Sequence, residues 1–184
     1  MSTTTAIDAN TQMKDVLKTF PGAQRALFAK YHIGGCQSCA FEPGETLGEL
    51  CARNEDIPVE EVIAHIEESH ASDETILLSP KEVAELVKSN SETRLLDVRT
   101  REEFEAVHIP GATLLTQEAL QEVFGKWAKE TPIVICDHTG DRSLDSAAYL
   151  IGHGFTETKC LEGGIDAYSQ EVDSSIPRYR IEVE

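Results

Sequence analysis

A chain of 184 residues with 40% hydrophobic content can build one medium domain or two small ones. The formal charge of −17 is shared, −8 over residues 1–74 and −9 over 75–184, so no basic face stands out and nucleic-acid binding is not expected. No apolar run is long enough to cross a membrane, the first ten residues lack a signal peptide's apolar core, and five cysteines then point to free thiols, redox work or metal in the cytoplasm.

Residues 1–10 read as a loose tail. Met13, Val16, Leu17 and Phe20 recur at helical spacing, and Pro21-Gly22 breaks that helix. A second helix over Ala23 to Tyr31 ends at Gly34-Gly35, and Cys36-Gln37-Ser38-Cys39 follows. Thr46 and Glu49 have the spacing of a capping box and open a helix through Cys51. Asp56 and Pro58 open another, with Val59, Val62, Ile63 and Ile66 on one face. Residues 11–70 therefore predict a small all-helical domain, and 71–74 a polar linker.

The texture changes at Thr75. Ile76-Leu77-Leu78 reads as a strand, and Ser79-Pro80-Lys81-Glu82 supplies an N-cap, a proline at N1 and a glutamate at N3. Strands follow at Arg94 to Val98 and Thr113 to Leu115, then a helix over Gln117 to Lys129. The apolar run Ile133-Val134-Ile135 stops at Cys136. After it come the polar loop Asp137, His138, Thr139, Gly140, Asp141, then Arg142 and Ser143 leading into a helix, and a last strand over Thr158 to Leu161 before Gly163-Gly164. Alternating strands and helices over 75–184 predict a parallel sheet with helices on both faces, its ligands at the C-terminal strand ends. Asp97, Arg99, Cys136 and Gly163-Gly164 all follow strands and gather at that edge. A thiol at a strand's end, before loop amides and a helix N-terminus, is expected to have a lowered pKa. The alternative is a buried structural cysteine ending a core strand.

Leu95-Leu96-Asp97-Val98-Arg99, Glu102-Glu103-Phe104 and His108-Ile109-Pro110-Gly111-Ala112 resemble the first signature of the rhodanese domain. Cys136 through Ser143, then Ala147, Leu150 and Gly154-Phe155, resemble its active-site loop and following helix, and Leu161-Glu162-Gly163-Gly164-Ile165 its closing signature. The resemblance implies an α/β fold around a five-stranded parallel sheet. It also implies a cysteine that accepts sulfane sulfur as a persulfide, here Cys136, assisted by Arg142. Two departures stand out. The common sulfurtransferase loop has four residues between Cys and Arg, whereas five separate Cys136 from Arg142, the length of rhodanese-like phosphatases and arsenate reductases. Tyr168 stands where a tryptophan is common. Asp137 and Asp141 disfavour a phosphate dianion or thiosulfate, which favours a neutral or protein-borne sulfur donor. Asp97 and Arg99 read as a buried pair holding the sheet edge, His108 as a packing residue, and Cys160 as a core thiol.

Phe20-Pro21-Gly22-Ala23, Tyr31 to Cys39 and Glu45-Thr46-Leu47 resemble the small helical domain associated with hybrid cluster proteins, known for a redox disulfide. They are also similar to the N-terminal domain of iron–sulfur-cluster repair proteins. Cys36 and Cys39 then read as a redox dithiol. A metal set of His32, Cys36, Cys39 and Cys51, and a turn without chemistry, are the alternatives. No cofactor is expected.

The expected function is a sulfurtransferase that carries sulfur on Cys136 and uses Cys36 or Cys39 as acceptor or reductant across the short linker. Its partners would be a sulfur donor, small molecule or protein persulfide, and a thiol acceptor. A non-catalytic sulfur-handling or regulatory module is the alternative. A phosphatase or arsenate reductase is a third reading, resting on the loop length alone.

Overall fold

The computed structural model describes residues 7–34, 41–140 and 142–180. The chain divides into two compact units, Met1–Thr75 and Ile76–Glu184.

The first unit holds α1 (Met13–Thr19), α2 (Ala23–Tyr31), α3 (Leu47–Arg53) and α4 (Val59–Glu74). Met13, Val16, Leu27, Leu47, Leu50, Val62 and Ile66 close its core, drawing on all four helices. The Thr46 hydroxyl accepts the Glu49 N–H at 3.2 Å, and the Glu49 carboxylate accepts the Thr46 N–H at 2.9 Å, completing the expected capping box. Two expectations need correction. The tail expected over residues 1–10 joins the core from Ile7, which is buried, and the Ala9 carbonyl accepts the Gly48 N–H at 2.8 Å. The linker expected over 71–74 is the last turn of α4, where Asp73 pairs with Arg25 of α2. Cys36 and Cys39 lie outside the described residues.

The second unit alternates β1 (Leu77–Leu78), α5 (Pro80–Ser89), β2 (Arg94–Asp97), α6 (Arg101–Ala106), β3 (Thr113–Leu114), α7 (Gln117–Lys126), β4 (Ile133–Cys136), α8 (Ser143–Gly152), β5 (Thr158–Leu161) and α9 (Gly164–Glu171). The five strands form one parallel sheet in the order β1-β5-β4-β2-β3. The β4 strand lies at the centre, and all four of its residues are buried. Successive side chains of a strand point to opposite faces. Accordingly, Ile133 and Ile135 join a core with Val123 of α7 and with Leu144, Ala147 and Leu150 of α8. Val134 and Cys136 join the opposite core with Val83 of α5 and Ile165 of α9. This is the expected sheet with helices on both faces. Two helices were not anticipated. A Thr100–Glu103 capping box starts α6, and α9 begins immediately after Gly163.

Phe155 is fully buried beside Ile135 and Leu150. Phe155→Ala should cost about 3–5 kcal/mol through lost burial and an unfilled cavity. Trp127, the chain's only tryptophan, packs on the same core, so its fluorescence during urea unfolding reads the loss.

Candidate functional site

The site begins where β4 ends. Cys136 pairs with Asp97 in the parallel register, and its carbonyl accepts the Val98 N–H at 2.9 Å. Its side chain has no accessible surface and packs among Val134, Leu161 and Ile165. The expected lowering of its pKa is overturned. Burial pushes the thiol well above its ordinary value, and Asp97 and Asp137 add to the rise against an opposing effect of Arg99. The helix end and loop amides invoked for that lowering act on a different residue.

That residue is Asp137, which is 2% exposed. One carboxylate oxygen accepts the Gly140 N–H and the other the Arg142 N–H, both at 2.6 Å. Counted from Asp137, the loop has four residues before Arg142, the length the family resemblance leads one to expect. The extra residue seen from Cys136 belongs to the strand.

The loop carbonyls point the other way. The Asp137 carbonyl accepts the Ile165 N–H at 2.9 Å and the His138 carbonyl the Asp166 N–H at 3.1 Å, so the first turn of α9 holds the outside of the loop. The close fit requires glycine. Gly164 has φ +61, and a Cβ there would lie 2.5 Å from the His138 carbonyl carbon. Ser143 is buried and donates its hydroxyl to the Gly140 carbonyl at 3.1 Å. Arg142 is the N-cap of α8 and its side chain is exposed. Asp141 lies outside the described residues.

Beneath the loop, Asp97 and Arg99 form the expected buried pair, with Nε and Nη2 of Arg99 donating to the carboxylate at 2.6 to 3.1 Å. Sequence reasoning missed what completes it. Nη1 of Arg99 donates to the Tyr179 hydroxyl at 2.7 Å, and that hydroxyl donates to Glu103 at 2.7 Å. Burial raises the Tyr179 phenol from about 10 to about 12. Burial opposes ionisation of Glu103, but hydrogen bonds from Tyr179 and Thr100 outweigh it and lower its pKa. The Tyr179 ring stacks on His138 at 4.3 Å, and Nε2 of His138 lies 3.1 Å from the Tyr179 carbonyl. Arg178 holds Asp166 at 2.7 and 2.9 Å, which keeps that carboxyl below the usual carboxylate range. A cavity of about 410 Å³ opens here, lined by His138, Thr139, Asp166, Arg178, Tyr179 and Arg180.

Other candidates fall elsewhere. His108 stacks on Phe104 at 4.3 Å, a packing role. Cys160 is buried in the core on the sheet face opposite that of Cys136. In the first unit, Cys51 is 2% exposed in the helical core, and burial raises its pKa. His32 caps α2 with φ 57. Among the described residues, no three His, Cys, Asp or Glu side chains gather as a metal set.

The family model of the rhodanese-like domain matches residues 79–171, half of the chain. The chain belongs to the rhodanese-like family. The adenylyltransferase and sulfurtransferase UBA4 of Candida albicans is 31% identical over 115 residues, 58% of this chain and 26% of that protein. This chain thus covers about a quarter of that relative's length. The thiosulfate sulfurtransferase GlpE of Pseudomonas savastanoi pv. phaseolicola is 29% identical over 89 residues, 48% of this chain and 83% of that protein. The solved structure of the human single-domain sulfurtransferase TSTD1 is 24% identical, covers 52% of this chain and 96% of its own, and has a TM-score of 0.47.

Two measurements test this rhodanese-like site. Gly164→Ala should destabilise the second unit by on the order of 1–3 kcal/mol from backbone strain alone, read by urea unfolding of Trp127. The raised Tyr179 pKa implies stability that is intact below about pH 10 and lost as pH rises towards about 12. Tyr179→Phe should remove that part of the alkaline loss, seen by comparing urea midpoints of the two proteins across the window.

Proposed function

We propose that this chain is a sulfur-handling protein whose rhodanese-like domain works as a binding or regulatory module, without carrying sulfur on Cys136. The observation that carries this reading is the complete burial of the Cys136 thiol at the end of β4. A sulfur donor must be attacked by a thiolate in contact with it, and burial opposes both the contact and the ionisation. The cavity beside the loop, with Arg178, Arg180 and His138 on its walls, is where a ligand or partner would meet the domain. Cys36 and Cys39 then take the sulfur or redox chemistry, since their Cys-x-x-Cys spacing suits a dithiol that releases sulfur by closing its own ring. The buried thiols Cys51 and Cys136 fit a reducing compartment such as the cytoplasm.

A sulfurtransferase with its persulfide on Cys136 is the second reading, favoured by the names of the relatives. It requires the end of β4 to open. The phosphatase or arsenate reductase reading rested on five residues between Cys136 and Arg142, and counting from Asp137 removes its basis.

Labelling separates the first two. The native protein is treated with a sulfane-sulfur donor and then with iodoacetamide, and the modified cysteines are located by peptide mass. Cys36 and Cys39 should react, while Cys136 should stay unmodified until denaturant is added. Sulfur on Cys136 in the native protein would sink the module reading and restore the sulfurtransferase.

A further inference from the structure

A groove of about 280 Å³ lies between α7 and α8, and it shares no lining residue with the cavity beside the loop. Leu115 after β3, Leu120 of α7 and Leu150 of α8 make its apolar part, and Asp145, Ser146 and Tyr149 of α8 complete it. Tyr149 is 50% exposed, the most exposed large hydrophobic side chain among the described residues. It is nevertheless held in place. Its ring meets Phe124 edge-on at 5.9 Å and His153 at 4.4 Å, and Nδ1 of His153 lies 2.8 Å from the Tyr149 carbonyl. A large ring fixed by its neighbours and open on one side loses little entropy when a partner covers it, which makes it a binding anchor. The volume falls just below the range of about 300–1,000 Å³ that encloses cofactors and drug-sized molecules. It suits one large side chain presented by a macromolecule.

The charges select that macromolecule. Asp145 is exposed and lies one turn before Tyr149, on the same side of α8. The α7 helix adds the exposed Glu118 and Glu122. Lys126 of α7 reaches Glu122 at 3.6 Å, and Arg101, which acts on Glu118, reaches Glu105 at 3.9 Å. Arg142, at the N-cap of α8, is the other base of these elements. The whole chain carries −17, so a second copy would bring the same acidic surface and be repelled, as would a nucleic acid. We infer that the α7–α8 groove docks a basic segment of another protein, which inserts one large apolar side chain beside Leu115, Leu120 and Tyr149 and sets a neighbouring Lys or Arg against Asp145. The contact is small and transient, and its attraction weakens as salt rises. It stands whether or not Cys136 carries sulfur.

The test uses the full chain and three labelled synthetic peptides of equal length, read by fluorescence anisotropy. One is Lys-rich with a single central Phe, the second has Ser in place of the Phe, and the third has Glu in place of every Lys. The Phe peptide should bind about tenfold tighter than the Ser peptide, and the Glu peptide should not bind. Tyr149→Ser should abolish the preference for Phe. Asp145→Lys should weaken the Phe peptide about tenfold, and more than Glu171→Lys on α9, which makes the same change of net charge on the opposite side of the sheet. Equal binding of the Phe and Ser peptides, or equal effects of the two charge reversals, would show general acidity alone and overturn the inference. So would a dimer of the native chain that Tyr149→Ser dissociates, since the groove would then belong to a second copy. Asp145→Lys leaves the apolar packing in place, so the inference stays open to failure even if Tyr149→Ser folds poorly. The cysteine-labelling result is the same under either outcome, so failure here leaves the proposed function standing.

Discussion

The burial of β4 on both faces is the constraint from which the rest of the site follows. A central parallel strand has no solvent face, so every side chain in it must enter one core or the other. Ile133 and Ile135 enter one, Val134 and Cys136 the other. The loop therefore cannot begin until the strand's last side chain is committed, and that side chain is the thiol. The chemistry at the strand's end then passes to the next residue, a carboxylate. Burial of apolar area and the period of the pleat thus decide which functional group the loop amides receive.

The Asp97–Arg99 pair works one layer below. Both side chains are almost fully buried, so each charge needs partners for all its polar atoms. Arg99 satisfies this through Asp97, the Val107 carbonyl and the Tyr179 hydroxyl. Removing either charge would leave the other stranded in a dry interior, which makes the pair structural in effect even though it lies near the loop. Tyr179 links this pair to His138 through its ring and its carbonyl, so the sheet edge and the loop are braced by the same residue.

Much of this was legible in the chain. Apolar runs gave the strands, and the Ser-x-x-Glu and Thr-x-x-Glu spacings placed the starts of α5 and α3. The same spacing at Thr100 and Glu103 marks α6 and went unread. The site was legible in place but not in register. Cys136 reads as the loop's reactive thiol because the β-branched run stops at it, yet a thiol behaves as a small hydrophobe and ends a buried strand readily. Leaving the family's four residues before Arg142 would have pointed to Asp137. Tyr179 carries no local signal, since its partners depend on the chain returning to the loop.

That return sets an order of events. Arg99 and Tyr179 are separated by 80 residues, Glu103 and Tyr179 by 76, and His138 and Tyr179 by 41. A chain made from its N-terminus can form β2 and its ion pair long before Tyr179 exists to complete them. Until then the Arg99 guanidinium must stay in water, and the layer above it cannot dry. The loop's geometry therefore depends on residues spread across the second unit, from Arg99 to Tyr179.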